Sequence, residues 1–291
     1  MFSDTHFHFS HLVKDLNLDG TKLIQDLLNQ KTFFALDIGT KSNDLSQRLS
    51  LFNNSTKDFN EQEKTAAKKM FYFSAGIWPS VEEIKNRTDS IKTLKNEIQN
   101  SQKNCENIIA IGECGLDHHW NPSGADKHNL SDFDKNIFEG EKELFSMQIE
   151  LSKQMKLPLI VHTREAFSET LDCLKNSNCT NGIIHCFSYG ITEARTFLDQ
   201  GFYIALGGST TYAKKTKIEE MKKLIQFIPD DRLLLETDSP YLAPVPYRGK
   251  TNTPLLIKYT YDFIAQAKEI KTETLCEIVD NNIKNLFLLK N

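Results

Sequence analysis

The stretch LPLIVHTREAFSETLDCLKNSNCTNGIIHC, residues 157–186, reads as strand, helix, strand. Leu157–His162 is a short apolar and β-branched run, and Gly182–Cys186 is another. Between them, residues 164–177 carry a helical pattern. Two strands joined through a helix make a βαβ unit, which implies parallel pairing. The same alternation extends both ways. Further strand candidates are Met1–Thr5, Phe33–Ile38, Phe71–Gly76, Ile108–Glu113, Phe202–Leu206 and Arg232–Glu236. Helical segments are predicted near 18–30, 41–52, 60–70, 80–100, 134–155, 191–200, 215–228, 254–268 and 272–289. In Glu141–Met155, apolar residues recur at three- and four-residue steps through Leu144, Met147, Leu151 and Met155. Eight strands with intervening helices predict an α/β fold, a closed (β/α)8 TIM barrel. A doubly wound open sheet is the competitor, but the Gly-rich fingerprint after its first strand is absent.

A barrel suits the length. The chain has 291 residues, and ~250 is ordinary for this architecture. With no composition break, residues 1–291 are expected to form one domain. Two long connections, Asn121–Phe133 after the fourth strand and Ser239–Thr253 after the eighth, leave C-terminal strand ends, where barrel active sites are built. Lys plus Arg is 35 and Asp plus Glu is 39, giving a net charge of −4. That balance excludes a basic coat for long nucleic acid. Six cysteines without a CxxC pair point to a reducing compartment. The opening MFSDTHFHFS lacks the form of a signal peptide, and no run approaches eighteen apolar residues. A cytoplasmic monomer is the expectation.

The chemistry sits at the strand ends. His6 and His8 are two residues apart in an extended segment, so both face one side. Asp4 shares their parity and is expected to orient a histidine. Glu113, His162, His185 and Asp238 end or follow other strands. In a barrel these ends converge, and four imidazoles with two carboxylates supply ligands for two divalent ions. Glu113 can bridge such a pair, generating a hydroxide near neutral pH, and Asp238 can accept a proton. Catalytic roles are therefore expected for Asp238 and Glu113. Arg164, Arg248 and Lys250 are the expected phosphate-binding residues. Trp120, Phe187 and Tyr189 are stacking candidates with a competing reading as packing residues. His11, His118, His119 and His128 carry no signal individually. Neither a G-x-S-x-G turn nor a Cys-centred motif appears.

These blocks resemble the TatD family of metal-dependent deoxyribonucleases. Asp4-Thr5-His6-Phe7-His8 is similar to its DxHxH opening. Gly112-Glu113-Cys114-Gly115-Leu116-Asp117 is similar to G-E-x-G-L-D, and Pro158 through Arg164 to P-x-x-x-H-x-R. His185-Cys186-Phe187-Ser188-Tyr189-Gly190 resembles H-C-F-S-G with one residue inserted, and Glu236 through Leu242 resembles the E-T-D-x-P-Y-L block. The resemblance implies one ion on His6, His8, Glu113 and Asp238, and a second on Glu113, His162 and His185. It also implies exonuclease action on DNA, at single strands or 3′ ends. Magnesium, manganese and zinc are the candidate metals; the histidines favour the latter two. The binding this implies is weak, end-directed and shallow in its salt dependence. Departures are Trp78 in place of a histidine, Thr253 in place of a glutamate, Glu141 in place of a glutamine and Asn285 in place of an arginine. The alternatives are a hydrolase of small esters, amides or phosphoesters, and a non-catalytic metal-binding scaffold.

Overall fold

A computed structural model of the chain describes residues 1–102, 107–119, 134–214 and 216–289. The predicted loop Asn121–Phe133, with Trp120 and His128, lies outside these residues. Eight strands run parallel in sequential order: β1 Ser3–Phe7, β2 Phe34–Asp37, β3 Phe71–Ala75, β4 Ile108–Asp117, β5 Leu159–Arg164, β6 Gly182–Ile184, β7 Tyr203–Leu206 and β8 Leu233–Leu235. Helices lie between them, as the (β/α)8 barrel reading requires. Most strand residues are buried, which is why these strands read as near-continuous apolar runs. The barrel closes between its first and last strands. Phe7 bridges Ser239 in parallel, His8 N donates to Ser239 O at 2.8 Å, and Asp238 N donates to His6 O at 2.8 Å.

The helix Lys135–Met155 shows how sequence sets the outer layer. Asp134 caps it by accepting from Asn136 N and Ile137 N at 2.7 and 3.0 Å. Lys156 ends it in the left-handed region at φ 56°. Its buried face, including Leu144, Phe145, Ile149 and Leu151, covers β4. Glu61–Met70 begins with a capping box between Asn60 and Glu63.

Boundaries differ from the sequence reading in places with local causes. The first strand is Ser3–Phe7 rather than Met1–Thr5, so His6 lies within it and His8 just beyond it. The predicted helix near 80–100 divides into Val81–Lys85 and Arg87–Gln102 at Asn86, whose Nδ2 donates to Glu82 O. The helix predicted from residue 41 starts at Leu45, because Asp44 Oδ2 accepts from Thr40 N and Lys41 N and holds a turn there. A short helical turn, His11–Asp15, follows β1 where none was predicted.

Under β2, Arg48 is 1% exposed. It donates to Asp37 Oδ2 at 3.0 Å, Asp44 Oδ1 at 2.9 Å and Ser74 O at 2.6 Å. Asp37 Oδ1 in turn accepts from Phe9 N, directly after His8. Arg48→Met would leave Asp37 as an unpaired buried acid. It is expected to cost roughly 3–5 kcal/mol in urea denaturation. A loss below about 1 kcal/mol would contradict this account of the network.

Candidate metal centre

The centre forms around Glu113 in β4, and glycines put it there. The register of β4 against β5 shifts between Ile111 and Cys114. Gly112 sits at φ +142°, and a Cβ there would lie 2.6 Å from Ile160 O. Gly115 sits at φ +149°, and its Cβ would collide with His162 O. Only glycine tolerates both the backbone angle and the approach. The resulting bulge is tied down by Glu113 N donating to Gly39 O at 2.7 Å.

Glu113 is 4% exposed, and its two oxygens face different imidazole pairs. Oε1 lies 2.8 Å from His162 Nδ1 and 3.1 Å from His185 Nε2. Oε2 lies 3.3 Å from His6 Nε2 and 3.9 Å from His8 Nε2. Asp238 Oδ1 closes the second group at 3.6 Å from His6 Nε2 and 3.5 Å from His8 Nε2. The six residues predicted as ligands from sequence thus converge on one point. Cys186 and Asp238 take positive φ values of 45° and 52°, two and three residues beyond the ends of β6 and β8, a region that aspartate tolerates better than cysteine.

The donor set fits divalent ions. His6 Nε2 is fully buried and makes no hydrogen bond among the described residues. It is close enough to Glu113 and Asp238 for charge attraction but not aligned for a hydrogen bond. A buried nitrogen left in that state is costly unless an ion takes its lone pair. Three-residue sets of ligand atoms within 4.8 Å of one another include His6, His8 and Glu113, and also Glu113, His162 and His185.

Two carboxylates without an assigned role in the sequence reading lie on the far sides of His162 and His185. Asp117 Oδ2 lies 3.0 Å from His162 Nε2, and Glu236 Oε1 lies 3.5 Å from His185 Nδ1. Glu236 Oε1 also accepts from Cys186 N at 2.6 Å. The Asp117 bond orients the His162 ring and raises its basicity toward an ion, whereas His185 Nδ1 lies within ion-pair distance of Glu236 but makes no hydrogen bond among the described residues. Both sit inside the blocks that contain Glu113 and Asp238, which was the available signal. Glu141 accepts from Asp117 N at 2.7 Å and fixes the end of β4. Asp4 does not orient an imidazole ring as expected. It accepts from His6 N, Thr237 N and Thr237 Oγ1, joining the backbones of β1 and the β8 end.

The cationic residues are less concentrated. Arg164 ends β5 with its side chain 42% exposed and Nη1 3.9 Å from Asp117 Oδ2, beside His162. Arg248 lies 4.4 Å over the Tyr212 ring, and Lys250 is 5.9 Å from the Tyr247 ring; both are exposed. Neither forms an ion pair with the six central residues among the described interactions. Phe187 is buried, and the Tyr189 hydroxyl bonds Thr163 Oγ1 and Ala166 N. Both pack the barrel rather than presenting a free ring face.

Charges in the metal-free centre are strongly coupled. Burial raises the Glu113 carboxyl, but His185, His162 and His6 outweigh it and hold it well below its ordinary value. Burial lowers His162, but Asp117 and Glu113 raise it to about 9. His185 is likewise depressed by burial and raised further by Glu113 and Glu236, ending well above its ordinary value. His6 is lowered, first by burial and then by the charge of His185. At neutral pH, metal must therefore displace protons from His162 and His185. Metal affinity is expected to rise as pH increases from 6 toward 9, with proton release on binding. Calorimetry in buffers of different ionisation enthalpy measures both; affinity that is flat across this range would contradict the arrangement.

A parallel barrel with buried histidines and carboxylates at its C-terminal strand ends defines a metal-dependent hydrolase. A family model described as TatD related DNase matches residues 3–288, and the chain belongs to that family. It is 36% identical to the uncharacterized metal-dependent hydrolase YabD of Bacillus subtilis over 75% of this chain and 78% of the relative. It is 31% identical to the 3′-5′ ssDNA/RNA exonuclease TatD of a Rahnella species, over 63% and 66% of the two chains. The crystal structure of YJJV, a TatD homolog from Escherichia coli, shares the fold with a TM-score of 0.79 at 24% identity, covering 99% and 98%. Among the described residues, no helix is long and apolar enough to cross a membrane.

Proposed function

We propose that the chain is a two-ion phosphodiesterase that removes nucleotides from single-stranded DNA or 3′ ends. The carrying observation is Glu113, whose two oxygens face two separate imidazole sets. One ion fits His6, His8, Glu113 and Asp238, and the other fits Glu113, His162 and His185. Bound there, divalent ions supply an activated water nucleophile and charge neutralisation at phosphoryl oxygens.

The chain's own residues do the rest. His6 and His8 fix one side of the centre, and their carbonyl and amide bonds to Asp238 and Ser239 lock it to β8. Asp117 holds His162 with its inner nitrogen toward Glu113, and the Glu236 charge stands behind His185, whose Nε2 faces Glu113. Asp238, lowered below the usual carboxylate value by His8 and His6 despite burial, stays ionised and accepts the proton of the attacking water. Arg164, exposed at the end of β5, pairs with the phosphate beyond the cleaved bond. The name of the Rahnella relative supports the substrate class. Magnesium, manganese and zinc are the metals to assay, on a protein assumed monomeric.

The experiment is degradation of end-labelled single-stranded DNA by the protein with each metal, with His162→Ala as control. Stepwise shortening from the 3′ end that vanishes in the variant is expected. Intact DNA under every metal, with turnover of lactones, amides or phosphotriesters instead, would replace this reading with a small-substrate hydrolase.

A further inference from the structure

Glu113 sits on backbone that the strand ladder does not fix. The pairing of β3 with β4 ends at Ala75 and Ile111, and the register of β4 against β5 shifts between Ile111 and Cys114. Gly112 and Glu113 fall in the gap. A fully buried hydroxyl holds them instead. Ser74 Oγ, in β3, donates to Gly112 O at 2.6 Å and accepts from Gly39 N at 3.1 Å. Gly39 O in turn accepts from Glu113 N at 2.7 Å. Both polar atoms of the Gly112–Glu113 peptide are thus held, one by the hydroxyl and one by the glycine that the hydroxyl holds. The clamp is tied to the opposite histidines as well. Arg48 Nη2 donates to Ser74 O, and Arg48 Nη1 donates to Asp37 Oδ2, whose other oxygen accepts from Phe9 N, directly after His8. One buried guanidinium therefore connects the backbone carrying Glu113 with the backbone carrying His8.

We propose that the Ser74 hydroxyl, anchored by Arg48, is a positioning residue that holds Glu113 toward the His6–His8 side, and so governs the ion at His6, His8, Glu113 and Asp238 more than the ion at Glu113, His162 and His185. This rests on the two-ion reading and on no particular substrate. The two sides of Glu113 differ in what they need from the backbone. Oε1 lies at hydrogen-bond length from His162 and His185, 2.8 and 3.1 Å, so that side holds itself. Oε2 lies 3.3 and 3.9 Å from His6 Nε2 and His8 Nε2, and His6 Nε2 makes no hydrogen bond among the described residues. That side depends on where the peptide puts the carboxylate. Released from the clamp, Glu113 settles on the His162–His185 pair. An interaction one step behind a ligand then changes one ion and spares its neighbour.

The test is manganese binding by the full-length, metal-stripped protein, followed by calorimetry and electron paramagnetic resonance. Wild type is expected to bind two ions, magnetically coupled at the ~3.5–4 Å separation of a two-metal site. Ser74→Ala should weaken one of them by roughly 10- to 100-fold, so that the coupled signal appears only at correspondingly higher manganese. Single-set backgrounds identify which ion is lost. In His162→Ala, which leaves the Oε2 set, adding S74A should carry the full loss; in His8→Ala, which leaves the Oε1 set, it should change affinity little. Ser152→Ala is the structural control. Its hydroxyl donates to Leu157 O at 2.6 Å, ahead of the N-terminal end of β5 and away from the centre, so S152A loses a comparable bond and should bind both ions as wild type does. Ser74→Cys, with a weak thiol donor in nearly the same space, should weaken the same ion and replaces S74A if that variant does not fold. Wild-type affinity for both ions in S74A, an equal loss of both, the same loss in S152A, or the reverse order in the two backgrounds overturns the positioning role and leaves the two-ion centre standing. A single ion in wild type at every manganese concentration overturns both.

Discussion

Replacing Glu113 by glutamine is expected to lower turnover on the order of 10³-fold and to reduce bound metal sharply. The magnitude follows from several kcal/mol of ion-derived transition-state stabilisation, at about 1.4 kcal/mol per factor of ten. The glutamine amide keeps the shape but offers one neutral oxygen. Its NH2 must face either the His162–His185 pair or the His6–His8 pair, whichever side the oxygen does not take. An NH2 group cannot ligate an ion, so one of the two sets loses its carboxylate oxygen. Elemental analysis should show the deficit, and circular dichroism should show the fold intact. Full metal content with near-native turnover would remove Glu113 from the centre of this scheme.

The same substitution has a signature without metal. His162 is raised to about 9 in the metal-free chain, partly by Glu113. A histidine raised on folding stabilises the fold fully below its unfolded value, near 6.5, and loses that contribution as pH climbs through about 9. The melting-temperature gap between wild type and E113Q in chelator should therefore be wider at pH 6 than at pH 9.5. Asp117 remains beside His162 in the variant, so the contribution shrinks rather than disappears. A gap that widens with pH would reverse the sign and refute the pairing.

What was legible in the sequence follows from where each signal is stored. The strands were visible because burial on both faces leaves runs such as Leu159–Val161 and Leu233–Leu235 with almost no polar interruption. His6 and His8 were visible because a two-residue spacing maps directly onto one side of an extended chain. Asp117 and Glu236 were named in motifs, yet their contacts with His162 and His185 span 45 and 51 positions of chain, which no local pattern encodes. The bulge that turns Glu113 inward depends on backbone angles at Gly112 and Gly115, and a glycine in sequence does not announce which angle it takes. Phe187 and Tyr189 stayed open between stacking and packing for a related reason. Position near a strand end does not say whether a ring faces the mouth or the helix layer, and hydrogen bonds from Tyr189 to Thr163 and Ala166 decide for the latter. The cations after strand eight were placed in the correct loop, but their side chains turn onto Tyr212 and Tyr247.

Asp238→Asn isolates chemistry from architecture more cleanly than any other change at this site. Asp238 sits at φ 52°, a conformation that asparagine also adopts readily and alanine does not. Its backbone N–H bond to His6 O, which helps close the barrel, survives the substitution. The set formed by Glu113, His162 and His185 is untouched, so metal at that position should persist. What disappears is a negative charge 3.5–3.6 Å from the His8 and His6 nitrogens and the acceptor for a proton. Removing a positioned general base typically costs 10²- to 10⁴-fold, and a loss of roughly that size in kcat is expected. Melting temperature in the presence of metal should change little, and Asp238→Ala should add a stability loss that the asparagine variant lacks. Higher pH should not rescue the asparagine variant, because the amide acquires no basic form in the accessible range. Wild-type kcat in D238N would mean that the proton leaves by another route, and Asp238 would then be a ligand only.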